Sequence, residues 1–219
     1  MESSTAAFFD VDETLITVKS MFRFLRHYWR AVGRPEAEFD TAWQYFQQLP
    51  SQGVPRSEAN RRFYAQFAGD RVAELARYGE QWFAAEQAEP GFWHPQGLPA
   101  LRRHQQAGHL TVLVSGSFPP CLDPIARHLG VDAVLCSRPE TAEGRYTGEL
   151  LTPMIGAAKG QAARAFMAAH GLDPARCHAY GDHPSDLPLL EQVGHPTAVG
   201  SDPVLTAHAD SHHWAHLAA

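Results

Sequence analysis

Two aspartates and a threonine, each two residues from the next, end the first apolar run of the sequence. Residues 8–15 read Phe-Phe-Asp-Val-Asp-Glu-Thr-Leu, which places Asp10, Asp12 and Thr14 directly after the apolar stretch 6–9. That stretch has the length and character of a buried strand. Because open α/β sheets bind ligands at the carboxyl ends of their strands, the pattern favours a site for a cation and an anionic reaction centre. A solvated turn would give the same spacing.

Polar groups also follow two later apolar runs. Ser115 and Gly116 come at the end of the strand predicted over 110–115, and Asp182 and Asp186 lie in the stretch Gly-Asp-His-Pro-Ser-Asp that follows another apolar run. The carboxyl ends of parallel strands meet at one edge of a sheet. We therefore expect these groups to lie beside the first aspartates.

The chemistry of these groups points to a metal ion and a phosphoryl group. Four neighbouring aspartates could not stay ionised together without a cation, because like charges at close range raise each other's pKa. Mg²⁺ prefers oxygen ligands and is the natural choice beside a phosphate. Ser115, the Gly116 amide and Lys159, which lies near the start of a helix predicted over 157–170, are donors that suit phosphoryl oxygens.

Two kinds of periodicity predict the elements that must position these groups. Between residues 17 and 94, aromatic residues at helical spacing predict about four helices, with breaks near 33–35, 49–55 and 69–70. After residue 95, strands alternate with helices, which predicts a mostly parallel sheet covered on both faces. The helical block would then be an insertion after the first strand, above the ligand-binding edge of the sheet.

Composition excludes several classes of protein. The net charge of −6 argues against a nucleic-acid binder, and no apolar run approaches the roughly 18–20 residues that a membrane span needs. The start Met-Glu-Ser-Ser-Thr lacks a basic region followed by an apolar stretch, so we predict no secretory signal. The widely spaced Cys121, Cys136 and Cys177 favour reduced thiols and a cytoplasmic location. The oligomeric state is not predicted.

Histidines are numerous and concentrated near the C-terminus. Of the thirteen in the chain, six lie beyond residue 180, and His212, His213 and His216 cluster together. A metal site there is one interpretation. We favour the other, a solvated tail.

Taken together, the motifs resemble those of the haloacid dehalogenase (HAD) superfamily phosphatases, in the subfamily IB branch that is similar to phosphoserine phosphatase. The matching elements occur in the family's order, as Asp-x-Asp-x-Thr at 10–14, Ser-Gly at 115–116, Lys159, and Gly-Asp-x-x-x-Asp at 181–186. The resemblance implies an α/β fold with a Rossmann-like three-layer core, a mostly parallel sheet and an inserted α-helical cap. The core would comprise residues 1–16 and 95–219, and the C1-type cap residues 17–94.

The resemblance also implies a role for each motif residue. Asp10 would be the nucleophile that forms an aspartyl-phosphate, and Asp12 the general acid and base. The phosphoryl oxygens would be held by Thr14, Ser115, Gly116 and Lys159. Mg²⁺ would be held by Asp10, the main-chain carbonyl of Asp12, Asp182 and Asp186. The expected activity is Mg²⁺-dependent hydrolysis of a small phosphorylated metabolite.

Two positions depart from the family's pattern. Lys19 stands where phosphoserine phosphatases carry a glutamate that recognises the substrate ammonium, so we do not expect phosphoserine as the substrate; the alternative is a solvent-facing lysine. His183 replaces a small residue, and either contacts substrate or only shapes its loop. Met21 and Phe22 are candidates to line a substrate pocket, although simple packing explains them equally well.

Two other functions remain open from the sequence. A phosphotransferase or phosphomutase would share Asp10 and Asp12 but return the phosphoryl group to an organic acceptor. A non-catalytic binding module would keep the fold, although every motif residue is intact.

Overall fold

The structure is a computed structural model that describes residues 5–218. The N-terminal residues 1–4, on which the prediction of no secretory signal rests, and residue 219 lie outside this range. The helices are α1 Ser20–Ala31, α2 Glu36–Gln48, α3 Arg56–Tyr64, α4 Val72–Glu86, α5 Gly97–Gln106, α6 Pro119–Leu129, α7 Ala157–Ala169, α8 Leu187–Leu190 and α9 Pro203–Ser211. The strands are β1 Ala6–Phe9, β2 Leu110–Ser115, β3 Ala133–Cys136, β4 Arg138–Ala142, β5 Arg145–Thr152, β6 His178–Gly181, β7 His195–Val199 and β8 Ala215–Leu217.

Six strands form one sheet in the order β3-β2-β1-β6-β7-β8. Every pairing in this sheet is parallel, which confirms the prediction of a mostly parallel α/β sheet. Strands β4 and β5 form a separate antiparallel hairpin. Parallel neighbours require crossover connections, and the helices α5 to α9 supply them.

Strand β1 lies at the centre of the sheet and contributes to a hydrophobic core on each face. Ala7 and Phe9 belong to a cluster with Leu101 of α5, whereas Ala6 and Phe8 belong to a cluster with helix α7 residues such as Met167. Successive side chains of a strand point to opposite faces, so an uninterrupted apolar run is what a strand covered on both faces requires. The result is the expected three-layer arrangement of helices, sheet and helices.

The four helices α1 to α4 lie between β1 and α5 in the chain and share an aromatic core. That core is continuous with the sheet's own helices, because the Phe118 ring at the start of α6 lies 5.6 Å from Phe24 and 5.1 Å from Tyr64, measured between ring centroids. The four-helix pattern matches the expected positions. Treating residues 17–94 as a separate cap domain stays a prediction. No helix within residues 5–218 combines the length and apolarity needed to cross a bilayer.

The C-terminal segment differs from the solvated tail favoured by the sequence. Helix α9 and strand β8 occupy it, and β8 extends the sheet by pairing with β7, Thr197 opposite Ala215 and Val199 opposite Leu217. The side chains of His212, His213 and His216 are nevertheless exposed. The strand is short and carries a histidine between alanine and leucine, so its pattern is too weak to predict a strand.

A glycine sets how closely the inserted helices approach the sheet layer. Gly79 of α4 is buried against α6, and a Cβ atom at this position would overlap the main-chain carbonyl oxygen of Pro120. The overlapping atom is backbone, so the two helices would have to separate to relieve it.

We therefore expect Gly79→Ala to lower the free energy of unfolding by about 1–3 kcal/mol, as overpacked cores do, although alanine is the better helix former by about 1 kcal/mol. The measurement is urea denaturation followed by circular dichroism. Ala76→Gly, an exposed position of the same helix, calibrates the propensity effect. A stabilised Gly79→Ala variant would show that α4 and α6 do not pack this closely.

Candidate active site

Three adjacent strands bring the predicted site residues to one edge of the sheet. Strands β2, β1 and β6 are neighbours, and their carboxyl ends lead to Ser115, Asp10 and Asp182. The ladder continues past β1, because the Asp10 amide donates to the carbonyl oxygen of Tyr180 at 2.9 Å. Asp10 is 7% exposed and Ser115 2% exposed. The sequence prediction that these groups converge is thus matched by their placement.

Lys159 joins two of the aspartates. Its ammonium donates to Asp10 Oδ1 at 2.5 Å and to Asp186 Oδ1 at 2.6 Å, and its side chain is 5% exposed. Burial alone would lower the pKa of Lys159, but the charges of the two carboxylates outweigh burial and hold that pKa above its ordinary value. The lysine therefore stays protonated beside Asp10.

The carboxyl groups carry more negative charge than Lys159 can balance. Asp10, Asp182 and Asp186 each offer an oxygen, and these three oxygens lie within 4.8 Å of one another. Burial and then the neighbouring carboxylates Asp10 and Asp186 raise the pKa of Asp182, and burial likewise raises the pKa of Asp10. A bound cation would remove this penalty, and an all-oxygen donor set suits a hard ion. The residues present therefore fit a metal site.

Asp12 and Thr14 lie next to this cluster in different roles. Burial, followed by the charge of Asp10, raises the pKa of Asp12 to about 7. Among the described residues, Asp12 Oδ1 is buried without a hydrogen-bond partner, so this oxygen is available to a bound molecule. The Thr14 hydroxyl, predicted to contact phosphate, donates its proton to Asp182 Oδ1 at 3.0 Å. In this arrangement Thr14 orients Asp182.

The loop after β2 is held from the inserted helices. The carbonyl oxygen of Gly116 accepts two hydrogen bonds from α3, one from Asn60 Nδ2 at 3.1 Å and one from the Tyr64 hydroxyl at 2.9 Å. Inside the loop, Ser115 Oγ accepts the Ser117 amide at 3.1 Å. That contact leaves the Ser115 hydroxyl proton available to another acceptor.

Asn60 is itself fixed by a short network. Ser137 Oγ donates to Asn60 Oδ1 at 3.2 Å and accepts the Met154 amide at 3.0 Å. The network determines which end of the Asn60 amide faces Gly116. Sequence reasoning missed Asn60, Tyr64 and Ser137, because no motif marks residues that act through contacts 52 to 77 positions apart.

The predicted specificity residues Lys19, Met21 and Phe22 lie in three different surroundings. Lys19 forms an ion pair with Glu13 at 3.4 Å, and its side chain is 51% exposed. Met21 Sδ lies 3.7 Å from Asn60 Nδ2, next to the Gly116 loop. Phe22 packs edge-on against aromatic rings of α2 and α3, with its centroid 4.8 Å from that of Trp43 and 5.2 Å from that of Phe63. Phe22 is therefore part of the helical core.

His183 shapes the loop that carries Asp186. Its Nδ1 accepts the Ser185 amide at 3.0 Å, while its own amide donates to Asp186 Oδ2 at 3.1 Å. These reciprocal bonds form a capping box at the short helix Pro184–Asp186. Contact between His183 and a substrate stays a prediction.

Comparison with known proteins agrees with this geometry. A family model described as haloacid dehalogenase-like hydrolase matches residues 7–191. A phosphoserine phosphatase of Mycobacterium tuberculosis is 31% identical, over 98% of this chain and 70% of that protein. The crystal structure of a protein of unknown function from Bordetella pertussis superposes with a TM-score of 0.84 at 29% identity, over 98% of both chains.

A phosphoserine phosphatase structure holding an analogue of the phospho-aspartyl intermediate shares the fold. It gives a TM-score of 0.70 at 17% identity, over 99% of this chain and 94% of that one. The matched residues 7–191 include the carboxylate cluster, Lys159 and the Ser115–Gly116 loop. The chain therefore belongs to the haloacid dehalogenase-like hydrolases, and the relatives that resemble it over nearly its whole length include a named phosphatase.

Proposed function

We propose that this protein is a Mg²⁺-dependent phosphomonoesterase that hydrolyses a small phosphorylated metabolite through an aspartyl-phosphate on Asp10. The observation that carries the proposal is the buried Asp10 carboxylate, which Lys159 contacts at 2.5 Å beside the donors of Ser115 and Gly116. A nucleophile, a fixed positive charge and further donors are what phosphoryl transfer needs, because its catalysis is mainly positioning and charge stabilisation.

The first step forms the covalent intermediate. A carboxylate oxygen of Asp10 attacks phosphorus in line with the leaving oxygen, and the bond from phosphorus to that oxygen breaks. Asp12 donates its proton to the departing alkoxide, for which a pKa of about 7 is well suited. Lys159 and the Ser115 hydroxyl hold the phosphoryl oxygens as their charge develops.

The second step releases phosphate. Asp12, now ionised, accepts a proton from a water molecule as the water oxygen attacks phosphorus. The bond between phosphorus and the Asp10 oxygen breaks, which restores both carboxyl groups and frees inorganic phosphate. Transfer to an alcohol instead of water would give the phosphotransferase alternative with the same residues.

Mg²⁺ would be held by the carboxylates of Asp10, Asp182 and Asp186 and by the main-chain carbonyl of Asp12. When bound, it supplies positive charge to the phosphoryl group and neutralises the carboxylates that crowd the site. Thr14 keeps Asp182 oriented through its 3.0 Å hydrogen bond, as a residue contacting a metal ligand does.

Helix α3 of the proposed cap positions the loop after β2, whose residues Ser115 and Gly116 would bind phosphate. Asn60 and Tyr64 both donate to the Gly116 carbonyl oxygen. Fixing the Gly116 carbonyl also fixes the plane of the peptide between Gly116 and Ser117, and so the direction of the Ser117 amide. We assign Asn60 and Tyr64 as positioning residues.

The substrate carries a second anionic group, in our proposal. Lys19 and Arg56 both place positive charge around His183, where each adds to the lowering of the His183 pKa that burial begins. Both residues are exposed, Lys19 just before α1 and Arg56 at the start of α3, and in this proposal they lie beside the bound substrate. An ammonium such as that of phosphoserine would be repelled there.

Location in the cytoplasm is a further part of the proposal. Cys121, Cys136 and Cys177 are all buried free thiols, which is the usual state in a reducing compartment.

Replacing the nucleophile tests the central assignment. Asp10→Asn should abolish Mg²⁺-dependent release of phosphate from an aryl phosphate, because an amide cannot form the aspartyl ester. Asp12→Asn should lower kcat by roughly 10²–10⁴-fold, the usual contribution of a general acid. Asp40→Asn, an exposed position on α2, is the matched control and should leave the rate unchanged.

Steady-state phosphate release is measured for each variant, with circular dichroism to verify folding. Wild-type activity in Asp10→Asn would refute the mechanism. Supplying an alcohol acceptor and measuring phosphorylated product separates hydrolysis from phosphotransfer.

Removing one hydroxyl group tests the positioning role of α3. Tyr64→Phe keeps the packing but deletes the donor to Gly116, so we expect kcat/KM to fall by about 5–10-fold, the equivalent of one hydrogen bond of about 1 kcal/mol. Tyr45→Phe removes a hydroxyl that contacts Arg62 at the surface and should have no effect. Equal kcat/KM for the two variants would show that Tyr64 does not position the loop.

Charge removal tests the proposed substrate class. Lys19→Gln and Arg56→Gln should each lower kcat/KM by about 2–5-fold for phosphomonoesters that carry a second anionic group, in line with exposed charge pairs. The rate with a simple aryl phosphate should not change. Arg61→Gln, exposed on the same helix as Arg56, is the control. An unchanged ranking of a phosphometabolite panel would contradict a second anionic group.

A further inference from the structure

A second group of metal-ligating side chains lies away from the aspartates. His104 lies in the last turn of α5, His109 precedes β2, and His178 begins β6. One ligand nitrogen from each of the three lies within 4.8 Å of the others. Asp182 follows the opposite end of β6, four residues on, which at about 3.3 Å per residue is roughly 13 Å away. The histidines therefore form a cluster distinct from the carboxylate site.

The closest pair in the cluster already shares one proton. His104 Nδ1 and His109 Nδ1 are 2.9 Å apart, so one of the two rings donates to the other. The His178 ring lies 4.5 Å from that of His104, measured between centroids. Imidazole nitrogens bound to one zinc ion at about 2.0–2.1 Å lie about 3.4 Å apart when tetrahedral. Side-chain rotations that move the ligand nitrogens by about an ångström would bring all three to this spacing.

The cluster has the protonation state and the support of a ligand set. Burial, and then the neighbouring histidines, lower the pKa of His104 to about 4, and burial and His195 do the same for His178. Neutral imidazole is the form that binds metal. His104 Nε2 lies 2.9 Å from the Tyr180 hydroxyl, a contact that leaves Nδ1 for a metal and holds the ring in place, as outer partners of metal-bound histidines do.

A cavity open to solvent reaches His178, one of the three histidines of the cluster. It has a volume of about 730 Å³ and is lined in part by His178, Tyr180, His195, His212, His213 and Trp214. His109 and His178 are half-buried, whereas His104 is 8% exposed. The cavity gives an ion a path to the His178 side of the cluster and room there for water as a further ligand.

We propose that His104, His109 and His178 form a second metal site, which takes a divalent transition-metal ion of the zinc class. Three nitrogen ligands suit Zn²⁺ and its neighbours in the first transition row, and not Mg²⁺, which prefers oxygen. The site joins α5 to β2 and β6, two of the strands that carry active-site residues. Its occupation stabilises the end of the sheet opposite the aspartates.

The test uses the full chain, freed of any affinity tag and of metal by a chelator, with excess Mg²⁺ present to fill the carboxylate site. We expect one equivalent of Zn²⁺ by calorimetric titration, the visible absorption of imidazole-bound Co²⁺ when Co²⁺ replaces it, and a higher melting temperature with Zn²⁺. His109→Ala and His178→Gln should each weaken Zn²⁺ binding by about 10-fold or more, and Tyr180→Phe by about 10-fold.

Control variants decide between this site and other histidines. His170→Gln, exposed at the end of α7, should bind as the wild type does, and so should the double variant His212→Gln/His213→Gln. Binding that survives in both His109→Ala and His178→Gln would overturn the proposal, as would binding lost in the His212/His213 double variant. Absence of Zn²⁺ binding by the folded wild type would overturn it as well.

Discussion

The buried ion pairs of Lys159 are the constraint on which the site depends. One ammonium joins Asp10 at the end of β1 to Asp186 in the loop after β6, and Lys159 itself comes from α7. Breaking such a pair by removing one partner leaves an uncompensated buried charge, which typically costs about 3–5 kcal/mol. Three separate segments are therefore locked in one arrangement. The pairs contribute geometry more than net stability, since burying the charges is itself unfavourable.

Glycines beside the charged groups make this arrangement possible. A Cβ atom at Gly181 would lie 2.6 Å from the Cβ of Asp186, and one at Gly160, next to Lys159, would overlap the carbonyl oxygen of Pro188. Any larger residue would push α7 or the Asp186 loop outward and lengthen the ion pairs. The small residues in the motif thus have a packing role that complements the chemistry of their neighbours.

The sequence predicted those parts of the molecule that depend on neighbouring residues. Apolar runs ending in Asp10, Ser115 and Asp182 defined the strands and the edge where they meet, since a parallel sheet covered on both faces allows few alternatives. Helical spacing of aromatic residues located α1 to α4. The histidine between alanine and leucine made the apolar pattern of β8 too weak to predict a strand. The favoured interpretation of the C-terminus as a solvated tail was therefore wrong about its secondary structure.

Residues that act across the fold could not be predicted in the same way. Asn60 and Tyr64 contact Gly116 through side chains on a helix that no motif marks, and the cluster of His104, His109 and His178 is assembled from three elements. Each of these sets depends on how elements dock, which follows from three-dimensional packing. Local spacing along the chain carries no signal for it.

The double hydrogen bond on Gly116 has a consequence for how the loop after β2 can move. Both donors, Asn60 and Tyr64, are buried side chains of α3, and the Tyr64 ring also packs 5.1 Å from that of Phe118. A shift of α3 would have to release both hydrogen bonds, each worth about 1 kcal/mol, together with part of the aromatic core. The loop and the helix therefore form one mechanical unit, in which neither can be displaced without the other.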